Sequence, residues 1–327
     1  MEPPDAAAWV VLGREGDDIT AVAMDAAAGE LSRHAVTAGD LAAWVARVEA
    51  SQAVRWVWSD ATRWYPRLLA EGVRVARCHD LRLCHAILRD AASVRDEAVR
   101  LATAWDAASI EDAPATATLF DLDDAAPGAS GVPEDIGETV AEFGRQRAAA
   151  AASTDPARLR LLLAAESAGA LLAAELRAAG VPWDPAAHER ILVDVLGERP
   201  ASGGASAKVD AAARRVREAL GDPAASLDSQ PKLLRSLHRA GVLVESTSRW
   251  ELARQRHPVI EPLLEYKKLS RLQSANGWAW LGEWVRDGRF RPVYVPGGVV
   301  TGRWATSGGG ALQLPRQLRA AVRADPG

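Results

Sequence analysis

Trp9–Leu12 and Ile19–Met24 are apolar and β-prone, and Gly13–Asp18 between them supplies turn residues, so the chain is expected to open on a hairpin. A third short strand is expected around Leu31–Val36, after the turn at Ala27–Glu30. The pattern then changes period: Leu41, Trp44, Val45 and Val48 predict a helix over Asp40–Ala50. Val54–Trp58 reads as a strand, Ala61–Ala70 as a helix, Val73–Ala76 as a strand and Leu81–Leu88 as the start of a helix. This β-β-β-α-β-α-β-α order predicts a mixed sheet flanked by helices.

From Asp155 onward the spacing is helical. Asp155-Pro156 is an N-cap followed by a proline at the first helical position, and the pattern runs unbroken through 156–179 to Gly180. Such a helix is roughly 36 Å long. Asp184-Pro185 repeats the start signal for a helix ending near Gly197, and further helices are expected near 207–220 and 231–240. Ser248-Arg-Trp-Glu251 fits a capping box in which Glu251 reaches back to the Ser248 amide. Ile260, Leu263, Leu264, Leu269, Leu272, Ala279, Leu281 and Trp284 predict one long amphipathic helix over Pro258–Val285, with Lys267, Lys268, Arg271 and Arg286 on its other face. Phe290–Val295 and Val299–Thr301 then read as two strands joined at Pro296-Gly-Gly.

Composition adds bounds. A hydrophobic content of 48% with 25% charged residues over 327 residues is that of a globular chain with room for two ordinary domains. No apolar run reaches the ~18 residues of a membrane span, and the acidic start MEPPDAAAWVV lacks a signal peptide's layout. The expected location is therefore cytoplasmic, with no membrane partner. Cys78 and Cys84 sit in CHDLRLCH with no second ligand cluster elsewhere, so they read as buried reduced thiols rather than metal ligands.

The net charge of -4 hides a division. Residues 1–142 hold 12 Arg against 25 acids, whereas 143–327 hold 27 Lys and Arg against 18 acids. Only the second part has the balance that suits a polyanion, although a solvated helix surface and GC-rich coding give the same bias. Residues 106–142 hold ten acids and no Lys or Arg, and most of the stretch reads as a solvated linker. Asp121, Asp123 and Asp124 within it have no rigid element around them to make a metal site. The six histidines are scattered, and there is no P-loop, HExxH, GxSxG or CxxC.

Three leading strands before alternating α/β units is the element order of ribonuclease H-like exonuclease domains. An active exonuclease of that kind needs clustered carboxylates for two metal ions. Trp9–Leu12 carries no acid, VAMDAAAGEL offers Asp25 but Ala27 where a glutamate is needed, and WSDATRWYPRLL has no Asn-x-x-x-Asp spacing. Exonuclease activity is not expected.

The second half resembles the front of the polymerase region of family A (DNA polymerase I-type) DNA polymerases. LLLAAESAGALLAAELRAAGVPWD is similar to the long helix opening that region. SLDSQPKLLRSL keeps Pro231, Lys232 and Leu234 of a Ser-Pro-Lys-Gln-Leu segment, with Leu233 in place of Gln. HPVIEPLLEYKKLSRLQSANGWAWL resembles the thumb helix. In GRFRPVYVPGGVVTGRWATSGGGALQLPRQLR, Thr301, Gly302, Arg303, Ser307, Leu312, Gln313, Pro315 and Arg319 fall on the family's Thr-Gly-Arg…Leu-Gln…Pro…Arg run, while Ala311 replaces an Asn and one residue is missing before Pro315.

The resemblance implies a mixed α+β and α/β chain: a degenerate RNase H-like 3′-5′ exonuclease-type domain over 1–105, an acidic linker over 106–154, and a mainly α-helical thumb and palm entry over 155–327 ending in a β-hairpin. It implies template-directed DNA synthesis by the complete enzyme, with Mg2+ held by palm aspartates that no residue of this sequence matches, so no catalytic and no metal-binding residue is assigned. The sequence is expected to stop before those residues and to be inactive alone. The implied partner is primer–template DNA, bound by a monomer, with dNTPs needing the missing palm and fingers. Lys267, Lys268 and Arg271 would meet duplex phosphates, and Thr301, Arg303, Gln313 and Arg319 would lie near the primer end, with Arg303 and Gln313 reaching minor-groove acceptors. A stand-alone, non-catalytic DNA-binding or interaction protein derived from a polymerase is the alternative. The Gly-rich run beside these arginines is expected to let the backbone approach phosphates closely.

Overall fold

The computed structural model describes residues 2–106, 131–201, 203–299 and 301–325. They fall into two compact units: Met1–Ala179 with Val293–Ser307, and Gly180–Pro292 with Gly308–Gly327.

In the first unit β1 (Trp9–Glu15), β2 (Asp18–Met24) and β3 (Glu30–Val36) form an antiparallel meander, and Gly16, with φ of +63°, takes the hairpin turn's left-handed position. Helix α1 (Leu41–Ser51) leads to β4 (Arg55–Trp58), which pairs parallel with β1, and α2 (Ala61–Ala70) leads to β5 (Cys78–Asp80), parallel to β4. The sheet order is β3-β2-β1-β4-β5. Val10 and Leu12 face one apolar layer and Val11 the other, so the central strand is covered on both sides. Helices α3 (Leu81–Asp90), α4 (Glu97–Leu101), α5 (Ile136–Ala152) and α6 (Pro156–Ala179) complete the layers.

Two features of this unit differ from the sequence expectation. The strand expected at Val73–Ala76 lies instead at Cys78–Asp80. Val75 is buried, but the Val73 amide is bonded to the Leu68 carbonyl and the Val75 amide to the Tyr65 hydroxyl, so this stretch closes α2 instead of joining the sheet. The described part of the expected linker, from 131 to 154, is mostly α5, and the Asp121, Asp123 and Asp124 of that stretch lie outside the described residues. Three of its acids have partners: Glu134 bonds Arg14 and Arg63 at 2.9 and 2.7 Å, Asp135 caps the helix, and the fully buried Glu142 meets His85 Nδ1 at 2.9 Å. Gly13 is required beneath it, since a Cβ there would come within 2.6 Å of Ile136 Cα.

Helix α6 also belongs to the first unit by packing, so the compact division falls at Gly180 and not near 155. Leu159, Leu163, Ser167, Ala170 and Leu171 make its buried stripe. Ser167 Oγ accepts the Asp80 amide at 3.1 Å, and its carbonyl accepts Cys78 Sγ at 3.3 Å. Both cysteines are free and buried.

In the second unit β6 (Val181–Pro182), α7 (Pro185–Leu196), α8 (Ala207–Leu220), α9 (Gln230–Arg239), α10 (Arg249–Leu252), α11 (Ile260–Asn276) and α12 (Trp278–Trp284) surround one core. The long helix expected over Pro258–Val285 is broken at Gly277, whose backbone is extended at φ −77°, ψ −161°. A Cβ there would sit 2.2 Å from the Gln273 carbonyl oxygen. Strands β7 (Val285–Arg286) and β8 (Arg289–Phe290) pair with β6 in the order β6-β8-β7. The expected terminal hairpin is displaced: β9 (Val293–Val295) pairs with β10 (Ala305–Gly308), leaving the stretch expected at Val299–Thr301 in the connection.

The buried Asp80 side chain joins the starts of two helices of the first unit. Its two carboxylate oxygens accept the Ala61 amide at 2.7 Å and the Leu83 amide at 2.9 Å, at the starts of α2 and α3. Replacing it by Ala strands two buried donors, and Asp80→Ala is expected to lower unfolding stability by about 3 kcal/mol, read from urea midpoints of the purified chain. A change below about 0.5 kcal/mol would show that these bonds hold nothing together.

Candidate nucleic-acid interface

Helix α11 buries Ile260, Leu263, Tyr266, Leu269 and Leu272 against a core that α8 shares, and Arg215 on α8 pairs with Glu265 at 2.6 Å. Tyr266 donates its hydroxyl to Asp228 at 2.6 Å, and burial, with that carboxylate, pushes its pKa up to about 12. The polar side of α11 carries the three expected phosphate ligands, which are not equivalent. Lys268 and Arg271, three positions apart and exposed, make no side-chain hydrogen bond or ion pair among the described residues. The half-buried Lys267 instead donates its ammonium to the Thr247 carbonyl and, at 2.7 Å, to the Thr247 hydroxyl. Desolvation lowers its pKa. This lysine holds the loop before α10 onto α11.

Helix α9 presents a second basic face. Leu233, Ser236 and Leu237 are buried, which leaves Lys232, Arg235 and Arg239 outward. They border an open hollow of about 580 Å³ that also includes Asp222, Ser226 and His238. Arg239 is bonded to Asp222 at 2.8 Å, whereas Lys232 and Arg235 have no ion-pair partner among the described residues. The sequence reading used Lys232 as a point of resemblance and missed Arg235, although their three-residue spacing opposite Leu233 and Leu237 marks the face.

The remaining expected residues divide between the units. Thr301 and Arg303 belong to the first, on the exposed connection between β9 and β10, where Gly302 has φ of +73°. The next residue, Trp304, packs on Gly169 of α6, 3.5 Å from where a Cβ would be. Gln313 and Arg319 belong to the second unit, both exposed, within the short turns Ala311–Gln313 and Arg316–Ala321.

The glycine run has a different neighbour from the one expected. A Cβ at Gly308 would lie 2.3 Å from the Trp284 ring, and one at Gly309, with φ of +70°, 2.9 Å from the Phe290 ring. The Gly309 carbonyl accepts Trp280 Nε1 at 2.9 Å. At these two glycines the close approach is to the protein's own aromatic core, where Trp183, His188, Trp280 and Phe290 meet. His188 Nδ1 accepts Trp183 Nε1 at 3.3 Å and its Nε2 donates to the Asn276 carbonyl at 3.0 Å, a neutral arrangement that fits the downward push of burial on its pKa.

Two carboxylates do gather at one end of the first unit's sheet: Asp60, from the WSDATRWYPRLL stretch already weighed for the exonuclease motif, and Asp80, which that comparison had not singled out. Asp60 follows β4 and Asp80 ends β5, both buried. Asp60 caps α2 and pairs with Arg82 at 2.8 Å, while Asp80 caps α3. Desolvation first, and the Asp60 charge second, push the Asp80 pKa up. Among the described residues no group of three or more His, Cys, Asp or Glu is arranged to hold a metal ion. The oxygens of Asp60 and Asp80 are spent on amides and a guanidinium, a poor fit to a metal pair.

No family profile matches the sequence, and no curated protein matches it. Among solved structures it is similar to the POL domain of Pol1 from M. smegmatis in complex with DNA primer-template and dNTP. The similarity has a TM-score of 0.59 at 16% identity and covers 98% of this chain. The chain has a polymerase-like fold. It spans 57% of the length of that POL domain chain.

The two neighbouring lysines of α11 are expected to separate cleanly. Lys267→Met should lower unfolding stability by about 1–2 kcal/mol through the lost bonds to Thr247, and Lys268→Met should stay within about 0.5 kcal/mol of the parent. Equal effects in urea unfolding would remove the distinction.

Proposed function

We propose that this chain is polymerase-related and binds primer–template DNA, as the front part of a family A DNA polymerase would. The observation that carries the reading is the fold similarity along 98% of the chain to a POL domain solved with DNA. The sheet order β3-β2-β1-β4-β5 supports assigning an RNase H-like, exonuclease-type fold to the first unit, and the helices α8 to α11 support a thumb-like role for the second.

In this reading Lys268 and Arg271 contact duplex phosphates, with Lys232 and Arg235 as a second set, and such contacts are blind to sequence. Thr301, Arg303, Gln313 and Arg319 serve the primer end, where Arg303 and Gln313 reach minor-groove acceptors shared by all base pairs. Lys267 contributes by fixing the loop beside α10. In a family A polymerase, Mg2+ held by palm carboxylates would supply nucleotidyl transfer, and the resemblance places those carboxylates on no residue of this sequence. No step of that chemistry is assigned to this chain.

The test is affinity for a labelled primer–template as a function of salt. Raising salt from 50 to 200 mM should weaken binding steeply, Lys268→Glu with Arg271→Glu should flatten the log–log slope by about 2, and Arg303→Ala should cost about tenfold. The proposal falls if affinity ignores salt and survives Arg303→Ala. Primer extension by this chain alone should remain at background; incorporation above background would overturn the assignment of no catalytic carboxylate.

A further inference from the structure

The chain has twelve tryptophans, and Trp250 is the one classed as exposed, at 82%. It sits in the four-residue helix α10, and Leu243, 77% exposed, precedes it in the same loop. Neither belongs to a slack segment. Glu251 accepts the Glu245 and Ser246 amides at 2.5 and 3.0 Å and the Ser246 hydroxyl at 2.6 Å. This differs from the expected capping box, because the carboxylate reaches the preceding loop while Ser248 Oγ accepts the Glu251 amide at 3.4 Å. Lys267 pins Thr247 from below, and Val242, Val244 and Leu252 are buried. The backbone under Trp250 is therefore fixed, and the indole is held outward.

Three arginines lie within six residues of it in sequence, and Glu245 is an exposed acid of the same loop. Arg249, Arg254 and Arg256 are exposed and form no ion pair among the described residues. The nearby Glu251 is committed to hydrogen bonds, which hold its pKa low, the Ser246 hydroxyl foremost. An apolar protein partner or a bilayer would call for a continuous apolar surface, but Ser246, Ser248 and the arginines interrupt this one. An exposed aromatic face with exposed arginines close to it in sequence suits a ligand with π faces joined by phosphates, and duplex DNA keeps its base faces stacked inside.

We infer that Trp250 is a stacking platform for the bases of an unpaired nucleic-acid strand, with Arg249, Arg254 and Arg256 holding the adjoining phosphates. The inference rests on the DNA-binding reading above and adds to it a site for single-stranded template.

Fluorescence anisotropy of the full chain with three labelled probes tests it: a blunt duplex, the same duplex with a run of unpaired thymidines, and oligo(dT) alone. Trp250→Ala should weaken the two probes with unpaired thymidines about tenfold and the blunt duplex less than twofold, and Trp250→Phe should recover most of the loss. An equal loss on all three probes, or none on the unpaired ones, overturns the inference. So does a dimer in sedimentation that Trp250→Ala converts to monomer, since the residue would then serve self-association. Wild-type chain that binds no DNA sinks the DNA-binding proposal itself; binding to blunt duplex without a Trp250 effect on the overhang sinks only the stacking site.

Discussion

Asp80 stands where two parallel strands end and three helices meet, and its position determines how the first unit closes. It is the last residue of β5, opposite Trp58 of β4. Its carboxylate accepts from the first turns of α2 and α3, and its amide donates to Ser167 on α6. A buried carboxylate is unfavourable by itself, and the neighbouring Asp60 makes it more so, which is why its pKa is pushed up. Arg82 answers with its bond to Asp60, and the helix amides supply the remaining partners. Helix starts leave free N–H groups, and a strand end leaves a side chain pointing toward them. One residue therefore serves both, and the cost of the charge is offset by donors that would otherwise be unpaired.

The same arithmetic explains which parts of the fold were legible. Helix α6 appears where Asp155-Pro156 and its periodicity put it, and α8 appears at the expected 207–220, since these signals are local. The β1–β2 hairpin was legible for the same reason. What escaped the sequence were elements set by a distant partner. Helix α5 starts inside the acid-rich 106–142 stretch, which reads as solvated chain, yet Glu134, Asp135 and Glu142 each have a counterpart in Arg14, in the helix's own amides, or in His85. The break at Gly277 was hidden because α11 and α12 bury residues in a nearly continuous pattern. The short β5 was misplaced because Val73 and Val75 are apolar for the core and not for the sheet.

Charge counting fares likewise. The excess of arginine and lysine after residue 142 was visible at once, but the count does not separate a cation that is free from one already employed. Lys267 and Lys268 are neighbours in sequence and differ in everything that follows, because a helix turns them about 100° apart and only one meets Thr247. Arg239, Arg289 and Arg323 are similarly occupied by Asp222, Asp325 and Asp184. Lys232, Arg235, Lys268 and Arg271 are what remains on α9 and α11. On these two helices the cations left for an anionic ligand are fewer and more local than composition suggests.

The C-terminal run shows how a segment can be fastened without being buried. Gly308 and Gly309 seat the backbone on Trp284 and Phe290, and the Trp280 indole donates to the Gly309 carbonyl. Further on, the Asp184 amide donates to the Ala321 carbonyl, the Arg323 amide to Pro182, and the Arg323 guanidinium to Asp184. Gln313 and Arg319 thus project from a segment fastened to the second unit's core before and after them. Glycine is needed there for the thickness of an aromatic ring, and the polar side chains are free because the backbone carries the attachment. A ligand meeting these residues would find them already ordered, which reduces the entropy that binding must overcome.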